Sequence, residues 1–219
     1  MHEAPESIEV LRTRARAMAG LTLAQLAGAM AVPIPPDLRR NKGWVGQLIE
    51  RFLGAPGGGA AGPDFASLGV ELKTLPVRPD GQPVESTWVC TLSIEDVDDV
   101  WESSRVRAKV AHVLWVPIEA GPPLAERHLG MPLLWRPDAD EEMLIRRDWE
   151  EHMAIVRAGR IDTITAHHGL VLQVRPKAAN ARERGVGLDV DGLERWVLPR
   201  GFYLRSTFTA GILRRHFAL

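Results

Sequence analysis

The sequence has little cysteine, no long apolar run and almost no net charge. Its 219 residues include one cysteine, Cys90, which excludes an internal disulfide and fits a reducing compartment. No apolar run approaches the length of a membrane-spanning helix, and the first residues lack the apolar core of a signal peptide. The sequence therefore predicts a soluble, cytoplasmic protein without membrane association.

Two common ligand-binding motifs are absent as well. The glycine-rich segment 54–63 lacks the Gly-Lys-Ser/Thr ending of a nucleotide-binding P-loop, and we interpret it as a mobile loop or hinge. The acidic residues between 95 and 99 lack the glycine and the closing glutamate of a calcium-binding EF-hand. Neither segment predicts a ligand site by itself.

The most informative stretch is a predicted strand over residues 69–77, which is rich in apolar and β-branched residues. Side chains alternate along a strand, so Glu71 and Lys73 point to one face while Val70 and Leu72 point to the other. An acid and an amine therefore share one face, and apolar side chains anchor the opposite face.

Asp64 lies seven residues before Glu71, beyond a glycine-rich stretch that lets the chain fold back toward the strand. Two carboxylates without His or Cys form an oxygen-only site, which suits Mg²⁺. Lys73 would then lie beside a metal-bound water or a phosphate. On this short motif alone, a surface strand with a chance ion pair is the alternative.

The order Pro63-Asp64 and then Glu71-Leu72-Lys73 resembles the PD-(D/E)xK nuclease superfamily. Further segments resemble the MutH family of mismatch-repair endonucleases, and they follow one another in that family's order along nearly the whole chain. These segments are 42–50, 101–109, 175–180 and 198–204. Several long segments in one order are far more specific than the catalytic motif.

The MutH resemblance implies an Mg²⁺-dependent DNA endonuclease, with Mn²⁺ as a substitute and with Ca²⁺ supporting binding without cleavage. It implies nicking of the unmethylated strand 5′ to the G of GATC in hemimethylated DNA, activated by the partners MutL and MutS. The implied catalytic residues are Asp64, Glu71, Lys73, Glu50 and Lys109. The implied metal ligands are Asp64, Glu71 and the backbone carbonyl of Leu72.

Two of these roles have alternatives in the sequence. Glu50 lies off the centre of the apolar stripe of a predicted helix, so it is either an active-site acid or a solvated one. Lys109 is either catalytic, phosphate-contacting or merely exposed.

The basic residues are concentrated near the C-terminus. Residues 171–219 hold nine Lys or Arg and four Asp or Glu, whereas residues 1–170 hold 18 and 24, and the whole chain has a net charge of −1. A phosphate-contacting C-terminal region would give this division, and chance is the alternative. The DNA-contacting residues that we predict are Lys42, Arg175, Pro176, Lys177, Arg200 and Tyr203.

Tyr203 matches the tyrosine that the family associates with sensing adenine methylation, and a core role for it at an interface is the alternative. Phe202, its neighbour, is the better core residue, because a buried tyrosine hydroxyl needs a partner.

The adjacent histidines His167 and His168 could suggest a metal site. They have no third soft ligand nearby, and adjacent residues on a strand would point to opposite faces. We therefore predict a structural or DNA-facing role for them.

Two other functions are compatible with these residues. A type II restriction endonuclease of the same superfamily would cut both strands of a GATC-like site without a partner. A non-catalytic DNA-binding module is the second, although the intact Asp64, Glu71 and Lys73 argue against it.

The alternation of helices and strands predicts an α/β protein with a mixed sheet flanked by helices. The resemblance implies the restriction-endonuclease-like form of this fold, and we expect two lobes around a DNA-binding cleft. We expect a monomer with a single endonuclease domain over residues 1–219. Its catalytic lobe would span roughly 1–120 and its DNA-recognition segment roughly 165–219. Predicted helices are 6–19, 23–30, 41–53, 102–109, 138–157 and 207–217; predicted strands are 69–77, 84–93, 111–118 and 170–174.

Overall fold

The computed structural model describes residues 3–38, 41, 43–56, 62–177 and 183–217, and the chain forms two compact units. The first unit contains Met1–Val84, Ala111–Arg136 and Leu213–Leu219, and the second contains Glu85–Val110 and Pro137–Ile212. Neither unit is one continuous segment, because the chain leaves the first unit after Val84 and returns to it at Ala111. Part of the predicted loop 54–63, residues 57–61, lies outside the described residues.

Helices and strands alternate along the chain, as predicted for a mixed α/β protein. The helices are α1 (Ile8–Ala17), α2 (Leu23–Ala29), α3 (Trp44–Leu53), α4 (Arg105–Val110), α5 (Ala139–Arg157) and α6 (Ser206–Phe217). The strands are β1 (Glu71–Val77), β2 (Thr87–Leu92), β3 (Val113–Glu119), β4 (Leu133–Trp135), β5 (Leu172–Pro176), β6 (Gly185–Leu188), β7 (Glu194–Val197) and β8 (Arg200–Leu204). No helix of the described segments is both long and apolar enough to cross a bilayer.

The first unit is built on a three-stranded sheet with the order β1-β3-β4. β3 is central, runs parallel to β1 and antiparallel to β4, and is buried from Val113 to Ile118, as its continuous apolar sequence predicts. A shared core joins the sheet to the first three helices through residues such as Leu11, Leu48, Leu72 and Leu114. β1 is therefore anchored by burial on one face.

Local sequence signals set the ends of the helices in this unit. Thr22 accepts a hydrogen bond from the Gln25 N–H and forms a capping box with it, so α2 begins where the sequence predicts. Gly54 ends α3 with a φ of 81°. The same helix begins at Trp44 rather than at residue 41, because Gly43 has a φ of 92°, which is incompatible with a right-handed helix.

The second unit contains an antiparallel sheet with the order β2-β8-β5 and a separate hairpin of β6 and β7. β8 is central in the sheet. α5 packs against β5 and begins at the N-cap Asp138, whose side chain forms a capping box with Glu141. The acids in its first turn and Arg157 in its last turn match the helix dipole.

Two buried side chains of α5 hold the beginning of β5. Asp148 is fully buried, and its Oδ2 accepts hydrogen bonds from the N–H groups of Val171 at 2.6 Å and Leu172 at 2.9 Å. Burial lowers the pKa of His152, so the neutral ring donates from Nε2 to the Leu172 carbonyl at 3.1 Å. These contacts satisfy backbone groups on the outer edge of β5, where no described strand pairs with it.

His167 and His168 lie outside the strands, as the predicted strand 170–174 implies, so the alternation of faces along a strand does not apply to them. Both lie in a turn that precedes β5, and the strand begins at Leu172. The Arg205 guanidinium fixes this turn by donating to the carbonyls of Ala166, His168 and Gly169. Three backbone acceptors held by one side chain replace the sheet pairing that a strand would need.

Candidate functional site

Glu71 and Lys73 share a face of β1, as the alternation predicts. The Lys73 Nζ donates to Glu71 Oε1 at 2.7 Å, and the two side chains are 12% and 3% exposed. Leu72 points the other way into the apolar core and is 5% exposed. A charge pair this buried is stable only as a pair, since removing one partner leaves the other charge without compensation.

Asp64 is brought to the same strand by a tight reversal of the chain. Phe65 and Val70 exchange backbone hydrogen bonds of 2.9 and 3.2 Å, and Gly69 takes a φ of 63° within the turn. Asp64 Oδ2 then accepts the Leu72 N–H at 2.8 Å. The reversal is thus made by the residues that follow Asp64, and not by the glycine-rich stretch before it.

The backbone of β1 places a third oxygen beside Asp64. The Glu71 N–H faces β3 and donates to the His112 carbonyl at 2.9 Å. Successive residues of a strand direct their backbone groups to opposite edges, and the N–H and C=O of one residue share an edge. The Leu72 carbonyl therefore faces the edge that Asp64 occupies, so Asp64, Glu71 and the Leu72 carbonyl form the "first-unit site" together with Lys73.

The donor atoms of this site are all oxygens. Two carboxylates and one backbone carbonyl match the preference of Mg²⁺ for a few hard ligands supplemented by water and phosphate oxygens. Across the described segments of the chain, no group of three or more His, Cys, Asp or Glu side chains is arranged for a metal ion. The predicted ligand set does not need one, because its third member is a backbone oxygen.

The other two predicted catalytic residues lie on helices. Glu50 is half-buried on α3, which packs against β1 in the first unit. Lys109 belongs to α4 in the second unit and is 6% exposed, so the alternative of a merely exposed lysine is wrong. The catalytic roles of both residues stay predictions.

A cluster of aromatic and basic side chains lies on one face of the second-unit sheet. Trp88 of β2 stands directly opposite Tyr203 of β8, and both are partly exposed. The Arg175 guanidinium lies 5.9 Å from the Tyr203 ring centroid, and the Lys177 Nζ lies 4.0 Å from the Trp88 ring centroid. We call Trp88, Arg175, Lys177 and Tyr203 the "second-unit face".

Tyr203 and Phe202 lie on opposite faces of β8, as the sequence predicts. Phe202 is 2% exposed, whereas Tyr203 is half-buried on the opposite side of β8. Burial raises the pKa of the Tyr203 hydroxyl, and Arg175 offsets part of that effect. The hydroxyl is therefore protonated at neutral pH and able to donate a hydrogen bond. Pro176, also predicted to contact DNA, ends β5 opposite Arg200.

Arg200 lies on the buried side of the same sheet. It is 8% exposed, donates from NH1 to the Ile164 carbonyl at 3.0 Å and lies 4.0 Å from Asp162. Burial lowers the pKa of its guanidinium, which Asp162 partly opposes. These contacts support a structural role, and the predicted phosphate contact has no support from its placement. Lys42, the remaining predicted contact, lies outside the described residues.

Sequence reasoning missed Trp88 as a candidate contact. In β2 it alternates with the buried Val89, and that alternation was the available signal. Trp88 is 38% exposed, and it covers Gly201, where a Cβ would lie 3.2 Å from the Trp88 Nε1. A larger residue at position 201 would therefore displace the indole.

The mixed α/β fold, with Glu71 and Lys73 on an outer strand and Asp64 beside that strand, is of the restriction-endonuclease-like class. The family model for the DNA mismatch repair enzyme MutH matches residues 53–148. Proteins described as DNA mismatch repair protein MutH from Pectobacterium atrosepticum, Klebsiella pneumoniae and Yersinia pestis are 49%, 50% and 51% identical to this chain. Each alignment covers 98% of this chain and 94%, 94% and 96% of the relative, respectively. The chain belongs to the MutH family.

Proposed function

We propose that this chain is a DNA mismatch-repair endonuclease that nicks the unmethylated strand of hemimethylated GATC sites by metal-dependent phosphodiester hydrolysis. The observation that carries the proposal is the first-unit site, in which a buried Glu71–Lys73 pair adjoins an aspartate held on the edge of β1. The relatives named for mismatch repair support the assignment to that process. GATC specificity, strand choice and activation by MutL and MutS are the finer parts of the proposal.

Each residue of the first-unit site has a distinct role in this proposal. Asp64, Glu71 and the Leu72 carbonyl would hold Mg²⁺, whose charge would stabilise the phosphate and activate a water. Lys73 would orient the attacking water and offset the negative charge that develops on the phosphate oxygens. Its bond to Glu71 fixes the ammonium in advance, so little reorganisation is needed during reaction.

The second-unit face would bind the duplex and read its methylation. Arg175 and Lys177 would contact phosphates or base edges, with their positions limited by the rings beneath them. An adenine methyl group adds bulk in the major groove and removes one exocyclic donor hydrogen. A rigid wall formed by Tyr203 would exclude that methyl group and so direct cleavage to the unmethylated strand.

A plasmid assay tests the proposal directly. Supercoiled DNA that contains hemimethylated GATC sites is incubated with the chain and Mg²⁺, with and without MutL. Relaxed circles whose nick maps to the unmethylated strand, at a rate that MutL raises, are the expected product. Linear DNA without MutL would indicate a restriction endonuclease instead, and unchanged supercoiled DNA would indicate a non-catalytic binding module.

A further inference from the structure

The first unit contains a concave site that the proposed nuclease function does not use. It has a volume of about 340 Å³, and it lies between α1, β4, the last turns of α6 and the residues around the start of β3. Its apolar floor includes Ile8, Leu114 and Leu133. A cavity of this size with an apolar floor and a few polar groups suits a small organic ligand.

The rim of this cavity is strongly basic. Arg12, Arg16, Arg136, His112 and His216 line it, and no described lining residue is an Asp or Glu. Arg12 pairs with the exposed Glu9 at 2.5 Å, whereas the described residues offer neither Arg16 nor Arg136 an ion pair. Guanidinium groups gathered around one cavity repel each other, and an anion that bridges them removes that repulsion.

His112 supplies a buried donor at the same site. It is 8% exposed, and its Nδ1 lies 3.2 Å from the Arg136 guanidinium. A guanidinium only donates, so Nδ1 accepts, and the ring proton is on Nε2. Burial and the neighbouring Arg136 lower the pKa of His112, which agrees with this neutral form. Nε2 makes no hydrogen bond to the described residues, so it is available to an acceptor.

We propose that this cavity binds a nucleotide, with Arg16, Arg136 and His112 contacting the phosphate and the apolar floor contacting the sugar or base. Each planar guanidinium group binds a pair of oxygens, and a phosphate offers more oxygens to two such groups than the two of a single carboxylate. The nucleotide is either free or the terminal nucleotide of a nucleic-acid strand. The proposal goes beyond the nuclease function and does not depend on it.

The test is a binding measurement on the full chain in EDTA, so that cleavage plays no part. Isothermal titration calorimetry would compare 2′-deoxyadenosine 5′-monophosphate, deoxyadenosine, inorganic phosphate and a short 5′-phosphorylated oligonucleotide. We expect the monophosphate to bind with a dissociation constant below about 1 mM. The nucleoside should bind roughly tenfold more weakly or worse, because it lacks the charge-assisted contacts.

The variant Arg16→Gln/Arg136→Gln tests the location, and Arg214→Gln is its control. Arg16, Arg136 and Arg214 are all exposed, so we expect the variants to fold, and Arg214 does not line the cavity. The double variant should weaken nucleotide binding by roughly tenfold or more while the control leaves it unchanged. Thermal unfolding of each variant without ligand confirms that the fold is retained.

The outcomes separate the two sources. Loss of monophosphate affinity in the double variant assigns the site to free nucleotides, and loss confined to the phosphorylated oligonucleotide assigns it to strand ends. The proposal is overturned if neither ligand binds at millimolar concentration, or if the double variant binds both as tightly as the original chain.

Discussion

The first-unit site and the second-unit face hold their charges in opposite ways. In the first-unit site, Glu71 and Lys73 are 3% and 12% exposed, and each compensates the other at 2.7 Å. In the second-unit face, the cations lie over aromatic rings instead, with Lys177 4.0 Å from the centroid of Trp88, which is itself 38% exposed. One region is a fixed ion pair, and the other is an accessible surface.

Under the proposed function, this difference would suit two separate tasks, cleavage in the first-unit site and DNA binding at the second-unit face. Groups that must meet one reacting phosphate benefit from fixed positions, because misplacement by even an ångström is costly to rate. Groups that contact a long polyanion benefit from exposure, since their energy comes from many separate phosphate contacts. We therefore expect changes in the first-unit site to lower the rate, and changes in the second-unit face to alter affinity or discrimination.

The largest effect should follow from Glu71→Gln. The amide keeps the shape but removes the charge that balances Lys73 and would hold the metal, so cleavage should fall on the order of a thousandfold. Single-turnover nicking in Mg²⁺ and duplex binding in Ca²⁺ measure the two quantities separately. Glu126→Gln, at an exposed acid of the same unit, is the control. Near-normal nicking by Glu71→Gln would contradict the proposal that Glu71 is a metal ligand.

A somewhat smaller loss should follow from Lys73→Met. The methionine keeps most of the chain length without the ammonium, and loss of one preorganised electrostatic contact typically costs about a hundredfold in rate. The measurement is again single-turnover nicking, with duplex affinity determined in parallel. If the variant bound DNA about tenfold more weakly but cleaved bound DNA at the normal rate, Lys73 would be a DNA-contacting residue. The expected contrast between rate effects in the first-unit site and affinity effects at the second-unit face would then be wrong.

Tyr203→Ser should relax discrimination more than it lowers rate. Removal of the ring opens space for the adenine methyl group, so the ratio of nicking on the two strands of a hemimethylated GATC duplex should change by about tenfold. Tyr203→Phe separates the ring from its hydroxyl and should keep most of the preference. Equal loss of both rates, with the preference intact, would mean that Tyr203 supports general binding.

The smallest effect should be that of Lys177→Ala. Loss of one phosphate contact should weaken binding to all sequences by a few-fold and reduce the salt slope by about one. Arg200→Ala is the informative comparison, because its buried contacts to Ile164 and Asp162 predict a lower melting temperature with an unchanged salt slope. A reduced salt slope for Arg200→Ala, with an unchanged melting temperature, would indicate that Arg200 contacts a DNA phosphate.

Local patterns in the sequence predicted much of the candidate site. Alternation along one strand placed Glu71 with Lys73, and it separated Phe202 from Tyr203. The same alternation places Arg200 on the Phe202 side, and the basic character of the C-terminal region led to the opposite interpretation. Period-two patterning was thus the better guide to that side chain than the regional charge.

Features that depend on distant partners were not predictable. Asp148 binds backbone groups 23 and 24 residues away, and nothing in its helical spacing distinguishes it from a solvated acid. The turn at His167 and His168 depends on Arg205, 37 residues after His168. Assignment of Lys109 to the second unit also follows from packing across the chain rather than from any local signal.

The bond from Leu72 to Asp64 has a consequence for solubility. β1 is the outer strand of its sheet among the described strands, and an unpaired N–H on such an edge is a template for pairing with another molecule. Asp64 covers that N–H and adds a charge beside it. Asp64→Ala would therefore expose the Leu72 N–H to pairing with another molecule and would also remove a carboxylate. Asp64→Asn retains a side-chain oxygen that can accept a hydrogen bond from this N–H. An inactive protein for binding studies is better made with asparagine.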